Sequence, residues 1–294
     1  MQDKKYDRNQ RNSGFDRKPR KSYGPRAGEG RFDRRTEERP FGGDREEAVG
    51  NGAVLGRNAV RELLRSGRAV DKLLVQSGER EGALVPLVAE AIERGIPVVE
   101  TERRKLDSIA GGVPHQGIIA MAAEKEYCTV EDILAIAKDR GEAPLIVIAD
   151  GIADPYNLGA VIRCAEGCGA HGLILPKRHA AGLSPVVTKA SAGAIEHLAI
   201  AKVANIAATV ESLKEAGVWI YAAEAGGADF RETDMTGAVA IVLGSEGAGV
   251  SDLVRRRSDF VVSIPMYGKV NSFNVSTAAA VLLCEAARQQ RKGK

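Results

Sequence analysis

The chain has 294 residues, of which 44% are hydrophobic but only 4% aromatic, so it can hold about two domains with aliphatic cores. No run of about 20 apolar residues occurs, which argues against a membrane span, and the charged N-terminus lacks the apolar stretch of a signal peptide, so we expect a cytoplasmic protein. The net charge of +3 is unevenly placed, because the first 48 residues hold 14 Lys or Arg and 10 Asp or Glu.

Residues 1–50 form the first region of the chain. They contain no Leu or Ile and are rich in Arg, Lys, Gly, Asp and Glu, with Tyr and Phe spaced among them. Such a segment buries too little apolar area to offset its chain entropy, which predicts a disordered basic tail. Arg interspersed with aromatics also suits RNA, through phosphate contact and stacking, and a purely solubilising tail is the equal alternative.

A small α/β domain is predicted over residues 52–123, because helical and strand patterns alternate there. The patterns predict helices over 58–66, 84–93 and 104–109, and strands over 70–75, 96–99 and 116–122. Gly67 is expected to end the first of these helices. The charged, loosely helical residues 124–142 are typical of a linker between domains.

A second α/β domain is predicted over residues 143–294. The continuous apolar run 145–149 is typical of a strand buried on both faces. The alternation after it predicts helices over 157–168, 185–192, 206–216, 251–256 and 274–290, and strands over 172–175, 199–201, 219–222, 238–243 and 260–264. This order implies a mostly parallel sheet covered on both faces.

The cysteines indicate neither a metal site nor a disulfide framework. Cys128, Cys164, Cys168 and Cys284 lack the CxxC spacing of zinc sites, and we interpret them as buried free thiols.

The first polar constellation, residues 150–163, joins the buried strand to a helix. This edge of the sheet is where ligands bind in open α/β folds. Asn157 can cap the helix, which alone would explain it. Arg163 lies near an apolar face between Val161 and Cys164. We expect its solvation to be incomplete, and a half-buried Arg at such an edge more often meets phosphate or carboxylate.

The second constellation is the glycine-rich segment 243–251, which contains Leu243, Gly244 and Glu246. Its glycines let a ligand approach backbone amides closely. It has neither the dinucleotide fingerprint nor the Gly-Lys-Ser/Thr of a P-loop, so a nucleotide triphosphate is not expected. Glu246 is a reasonable partner for Arg163 or for a ribose hydroxyl.

The third constellation runs from Ile264 and Met266 to the segment 270–280, which includes Ser272, Phe273 and Asn274. Ser272 or Asn274 is well placed to cap the last helix. One helix start cannot use all of these polar groups, so the surplus indicates a ligand.

Together the three constellations resemble the three motifs of the SpoU (TrmH-type) branch of the SPOUT RNA methyltransferases. The resemblance covers about residues 144–291 and is specific as a set. The segments 54–60 and 115–118 resemble, less specifically, the ends of the L30e-like substrate domain of the 23S rRNA guanosine 2′-O-methyltransferases.

The resemblance implies a C-terminal domain with a deep trefoil knot, bound S-adenosylmethionine, an RNA substrate and a homodimer whose partner helps to build each site. Neither periodicity nor composition predicts a knot. The catalytic residues implied by the motifs are Asn157, Arg163, Glu246, Ser272 and Asn274. The implied cofactor-binding residues are Leu243, Gly244, Ile264, Met266 and Phe273; the family commonly has Leu at the last position.

The reaction implied is methylation of a ribose 2′-oxygen, most specifically of a guanosine in 23S rRNA. Arg163 is the family's proposed base, but a guanidinium stays protonated, so we assign it to binding the adjacent phosphate and lowering the pKa of the hydroxyl. The alternatives are 2′-O-methylation of tRNA, a non-catalytic RNA-binding protein and a Rossmann-type oxidoreductase. The intact polar residues argue against a non-catalytic protein, and the missing dinucleotide fingerprint argues against an oxidoreductase.

Overall fold

The computed structural model describes residues 52–78 and 82–291. The predicted basic tail, residues 1–50, lies outside this part of the chain. Among the described residues, no helix is both long enough and apolar enough to cross a bilayer.

The first α/β block spans residues 53–122 and contains the alternating helices and strands that the sequence predicts. Its elements are β1 (Ala53–Leu55), α1 (Arg57–Ser66), β2 (Val70–Gln76), α2 (Leu84–Glu93), β3 (Val98–Thr101), α3 (Arg103–Ala110) and β4 (Ile118–Ala122). The sheet order is β1-β4-β2-β3, in which β2 and β3 are parallel and β4 is antiparallel to both of its neighbours. Apolar clusters cover both faces of this sheet.

Gly67 ends α1, as the sequence predicts. Its φ of 77° is left-handed, a conformation that a side chain disfavours, and its N–H donates to the Leu64 carbonyl.

The segment expected to be a linker contains helix α4 (Val130–Arg140). Thr129 and Asp132 form a capping box at its start, and Ile133 is fully buried. Gly172 makes room for that side chain, since an added Cβ would lie 2.6 Å from Ile133 Cδ1. Helix α4 therefore packs into the second block, and the domain boundaries themselves stay a prediction.

The second block is a six-stranded sheet with helices on both faces. Its further elements are β5 (Leu145–Asp150), α5 (Pro155–Gly167), β6 (Gly172–Pro176), α6 (Pro185–Ala190), β7 (Ala199–Val203), α7 (Ile206–Glu215), β8 (Trp219–Asp229), β9 (Val239–Gly244), α8 (Asp252–Arg257), β10 (Phe260–Ser263) and α9 (Val275–Arg291). A short 3-10 helix covers Ala194–Glu196. The strand order is β10-β8-β9-β5-β6-β7, and every pairing is parallel.

This arrangement confirms the predicted α/β fold with a mostly parallel sheet. One core contains α5 and α9 on one face, and the other contains α4, α7 and α8 on the opposite face. Strand β8 is longer than predicted, because it continues past residue 222 to Asp229 beside β10, with a bulge in the pairing between Val261 and Val262. The trefoil knot stays a prediction from the resemblance.

The cysteines are all free, but they are not all buried as predicted. Only Cys168 is buried, whereas Cys284 is exposed and Cys128 and Cys164 are intermediate. Cys168 Sγ lies 3.3 Å from Cys284 Sγ, and burial raises the pKa of the Cys168 thiol to about 12.

A buried ion pair joins the two blocks. Arg68 Nη2 donates to Glu196 Oε1 at 2.9 Å, and the Glu196 side chain is only 2% exposed. Burial raises the pKa of the Glu196 carboxyl, although Arg68 and Lys125 act to lower it. Beside this pair, Gly193 packs so closely on Glu62 that an added Cβ would lie 2.6 Å from Glu62 Cβ.

Candidate active site

The three polar constellations meet at the carboxyl edge of the parallel sheet, as expected. A cavity of about 610 Å³ opens there, formed by residues 223–225, 243–249, 262–264, 266, 271–275, 278 and 282. All five residues predicted to bind the cofactor line this cavity: Leu243, Gly244, Ile264, Met266 and Phe273. The structure thus brings this set together, while the role of each residue stays a prediction.

The glycine-rich segment folds back on itself directly after β9. Ser245 and Gly249 exchange two backbone hydrogen bonds, of 3.0 and 2.9 Å. An added Cβ on Gly244 would lie 2.0 Å from the Gly249 carbonyl carbon, so this turn closes only with glycine at that position. Asp150 Oδ2 also accepts a 2.8 Å hydrogen bond from the N–H of Ser251, which ties the turn to the end of β5.

A hydrogen-bonded network of two amides and one carboxylate joins the three constellations. Asn157 Nδ2 donates to Glu246 Oε1 at 2.7 Å, and Asn274 Nδ2 donates to the same oxygen at 3.0 Å. Asn274 Nδ2 also lies 2.9 Å from Asn157 Oδ1, which accepts from it. Three distant segments of sequence are therefore fixed relative to one another by a carboxylate that accepts from both amides.

Asn274 also caps α9, which is the structural role that the sequence predicts; its catalytic role stays a prediction. Its Oδ1 accepts from the Ser276 N–H at 2.9 Å and from Ser276 Oγ at 2.6 Å. Ser272 lines the cavity and is exposed, and its hydroxyl lies 3.5 Å from Asn271 Oδ1. Phe273 is 46% exposed, which leaves much of its ring free to contact a ligand.

The cap of α5 differs from the predicted one. Asp154, rather than Asn157, is the N-cap, and its side chain accepts from the Tyr156 N–H at 2.7 Å. Pro155 follows at the first helical position, where its missing N–H is harmless. Because Asp154 caps the helix, the Asn157 amide is free to join the network. The Asp-Pro pair was a sequence signal for this cap.

Arg163 is exposed, so the expectation that it is half-buried is wrong. It does not line the cavity, and within residues 52–78 and 82–291 it has no hydrogen-bond or ion-pair partner. The suggested pairing with Glu246 is also absent from this part of the chain, where Glu246 Oε1 accepts from Asn157 and Asn274 instead.

Sequence reasoning missed Glu224 and Ala225, which line the cavity from the extension of β8. The alternating pattern of β8 ends at residue 222, and the small residues after it gave no signal of a continuing strand.

Comparisons with known proteins agree with this site. The family model described as "SpoU rRNA Methylase family" matches residues 144–284, and that described as "RNA 2'-O ribose methyltransferase substrate binding" matches residues 53–128. A putative TrmH family tRNA/rRNA methyltransferase from Bacillus subtilis is 41% identical over 81% of this chain and 95% of its own length. A relative of the same description from Staphylococcus haemolyticus is 40% identical over 81% of this chain and 96% of its own length.

Solved structures show the same architecture. The SpoU methyltransferase AviRb from Streptomyces viridochromogenes, solved with AdoMet, has a TM-score of 0.71 and 25% identity, covering 85% of this chain and 97% of its own. An AdoMet-bound rRNA methyltransferase from Sinorhizobium meliloti has a TM-score of 0.66 and 26% identity, covering 80% of this chain and 86% of its own.

The parallel sheet, the glycine-lined cavity at its carboxyl edge and these matches define an RNA methyltransferase that uses S-adenosylmethionine. The extent of its identity to the curated relatives settles the family. The chain belongs to the SpoU, or TrmH, family of methyltransferases.

The cavity fits S-adenosylmethionine in size and chemistry. Its volume of about 610 Å³ lies within the range of small-molecule sites, roughly 300–1,000 Å³. Leu243, Ile264 and Met266 give it apolar walls, and the turn after Gly244 presents backbone groups. The Glu246 carboxylate lies at its edge, where it complements a positively charged ligand.

Proposed function

We propose that this chain transfers the methyl group of S-adenosylmethionine to the ribose 2′-oxygen of a guanosine in 23S rRNA. The observation that carries the proposal is the network of Asn157, Glu246 and Asn274 beside the cavity. The match of residues 53–128 to a 2′-O ribose methyltransferase substrate-binding model supports the choice of oxygen. An rRNA substrate is also consistent with a cytoplasmic protein.

S-adenosylmethionine supplies the electrophilic methyl group, so the protein must hold the 2′-hydroxyl in line and assist loss of its proton. The network fixes the edge at which the ribose binds, and Ser272 adds a hydroxyl on the same side of the cavity. Arg163 stays cationic and binds the phosphate next to the ribose. That charge lowers the pKa of the 2′-hydroxyl, and water or phosphate takes the proton.

The exposure of Arg163 supports a homodimeric site. Within one chain this side chain neither lines the cavity nor contacts the network. We therefore assign it to the cavity of a second copy, which would bring a cation to the Glu246 side of the site.

Complementation between two inactive variants tests this arrangement. Arg163→Ala and Gly244→Ala are coexpressed with different tags, and the mixed dimer is isolated by tandem purification. A shared site leaves one cavity complete in the mixed dimer, so about half of the wild-type methyl transfer returns. An inactive mixed dimer, with both parent dimers intact by size, would contradict the shared site.

The pH dependence of Arg163→Lys tests the role given to this residue. Lys is the better base, but it cannot bind a phosphate through two N–H groups as Arg does. We therefore expect reduced activity with an unshifted pH–rate profile. Full activity with a lower apparent pKa would show that the residue at 163 acts as the base.

The substrate is tested with tritiated S-adenosylmethionine and separate rRNA and tRNA fractions from a strain lacking the gene. We expect tritium to enter 23S rRNA at one 2′-O position. That position should carry no methyl group in rRNA taken directly from the deletion strain. Incorporation into tRNA alone would favour the tRNA alternative, which the tRNA/rRNA description of the curated relatives keeps open. No incorporation into either would favour the non-catalytic alternative.

A further inference from the structure

A second cavity, of about 540 Å³, lies in the first α/β block and shares no residue with the candidate active site. The two N-terminal segments that resemble a substrate domain, residues 54–60 and 115–118, meet at its wall through Arg57, His115 and Gln116. The proposed chemistry of methyl transfer uses none of these residues. Their meeting around a cavity therefore needs a separate explanation.

Gln116 is held in an unusual conformation. Its φ is +55°, a region that residues other than glycine seldom adopt. Its side-chain oxygen Oε1 accepts from the Arg57 N–H at 3.1 Å and from Lys189 Nζ at 2.9 Å, and its main-chain carbonyl accepts from Arg57 Nε at 3.2 Å. Two donors on Oε1 fix the orientation of the amide. Across the described residues the amide nitrogen Nε2 has no partner, so a donor is left available at the cavity.

His115, also in the cavity lining, is held by two hydrogen bonds. It is buried, and its Nδ1 accepts from the Gly117 N–H at 3.0 Å. The ring hydrogen is therefore on Nε2, which donates to Asp107 Oδ1 at 2.9 Å. Arg103 Nε lies 3.8 Å from Asp107 Oδ2 in an exposed ion pair, which keeps this guanidinium near the cavity without fixing it.

The lining combines two guanidinium groups with an apolar surface. Arg57 and Arg103 supply the cations, while Leu84, Val113 and Pro114 supply the apolar side. Arginine binds phosphate and stacks on bases, and unstacked bases are the parts of RNA that proteins most often recognise. A cavity of this volume accommodates one nucleotide.

Lys189 connects this cavity with the catalytic edge. It belongs to α6, whose residues pack so tightly on α5 that an added Cβ on Gly159 would lie 2.5 Å from Ala190 Cβ. Asn157 lies in the first turn of the same α5. One hydrogen bond from Lys189 and the tight contact of α6 with α5 therefore connect Gln116 with the helix that carries Asn157.

We propose that this cavity binds one unstacked nucleotide of the RNA substrate, distinct from the nucleotide that is methylated. The base lies against Leu84 and Val113 and accepts from Gln116 Nε2, and the phosphate binds Arg57 and Arg103. The inference rests on the proposed function, since it takes the substrate to be RNA. It adds a recognition site that selects where the methyl group is placed.

The test compares Arg103→Ala with Arg104→Ala in the full-length protein. Both residues are exposed on α3 and both changes remove one positive charge, but only Arg103 lines the cavity. We expect Arg103→Ala to raise the KM for 23S rRNA about tenfold with kcat within about twofold, and Arg104→Ala to raise KM less than about threefold. The affinity for S-adenosylmethionine should be unchanged in both variants.

Crosslinking supplies the second measurement. 23S rRNA substituted with 4-thiouridine is irradiated with the wild-type protein, and crosslinked peptides are identified by mass spectrometry. Crosslinks to residues 112–117 or 76–77 support the cavity. Equal effects of the two variants together with no crosslinks there would overturn it. Tight binding of free AMP or GMP with no RNA crosslink would also overturn it, in favour of a small-molecule site.

These measurements separate the two proposals. If the wild-type protein methylates no RNA, the proposed function fails, and the crosslinks still decide whether the cavity holds a nucleotide. If methylation proceeds, Arg103→Ala behaves like Arg104→Ala and no crosslink falls in residues 112–117 or 76–77, the catalytic proposal stands and the nucleotide cavity falls.

Discussion

Replacing Gly244 with Ala should disable the cofactor cavity with little effect on the rest of the fold. The added Cβ would lie 2.0 Å from the carbonyl carbon of Gly249, 2.2 Å from its oxygen and 2.2 Å from the nitrogen of Val250. Carbon atoms in contact lie about 3.5 Å apart, so the turn must open by roughly 1.5 Å. All three neighbours are backbone atoms, and no side chain can rotate out of the way.

The free-energy change can be estimated from the contacts that are lost. Overpacking of this kind destabilises by about 1–3 kcal/mol. Opening the turn also weakens the two backbone hydrogen bonds between Ser245 and Gly249, each contributing about 1 kcal/mol net. We therefore expect a loss of about 3 kcal/mol, which lowers Tm by roughly 6–12 °C in a protein of this size.

The decisive assay is calorimetric titration with S-adenosylmethionine. A cavity wall displaced by about 1.5 Å loses its backbone contacts, so we expect the Kd to rise at least about thirtyfold, equivalent to about 2 kcal/mol. Gly247→Ala in the same turn is the matched control, because no atom lies within 4 Å of its added Cβ. Its φ of +86° adds strain of only about 1–2 kcal/mol. A Gly244→Ala protein that binds the cofactor within threefold of wild type would refute the reasoning.

Two further predictions concern buried or shared charge. Asn157→Asp places a second carboxylate 2.7 Å from Glu246, and the repulsion should reduce methyl transfer on the order of a hundredfold. Asn271→Asp, which adds a carboxylate to the cavity lining outside the network, should reduce it less than about threefold, and equal losses would contradict the network. Burial raises the pKa of the Glu196 carboxyl more than the neighbouring cations lower it, so we expect the free energy of unfolding of Glu196→Gln at pH 8 to lie within about 1 kcal/mol of the wild-type value. Glu196→Ala should be clearly less stable, because the Arg68 guanidinium then loses its hydrogen-bond acceptor. Because the pKa of the Glu196 carboxyl is raised in the folded state, its contribution to stability is complete below the ordinary pKa and is lost as the pH rises through the folded pKa. The Tm of the wild type should therefore rise relative to that of Glu196→Gln as the pH falls from 8 to 4.5. A Tm difference that does not change with pH would contradict this prediction.

The strands of the second block were predictable from the sequence, because a strand buried on both faces is a continuous run of apolar residues. The run 145–149 contains only apolar residues, and all five are buried. The meeting of Asn157, Glu246 and Asn274 was also predictable, because the carboxyl ends of parallel strands share one edge.

Other features depended on tertiary contacts that the sequence does not encode locally. Arg163 has apolar neighbours in sequence, but those neighbours face the core while its own side chain points away from it. The charged composition of residues 124–142 concealed two fully buried residues, Ile133 and Ala137, and Gly172 leaves space for the first of them. The second cavity could not be predicted, because its lining depends on which loops approach α1 and no local sequence pattern indicates this.

The buried pair of Arg68 and Glu196 restricts how this protein could be recombined with others. A chimera that carried residues 53–128 onto a different methyltransferase domain would bring Arg68 to a surface without its carboxylate, and the recipient would have to supply a buried acid at the matching place. The reverse transplant would leave Glu196 buried without its guanidinium. Exchanging either block alone therefore leaves one buried charge without its partner, although each block has its own sheet and its own core.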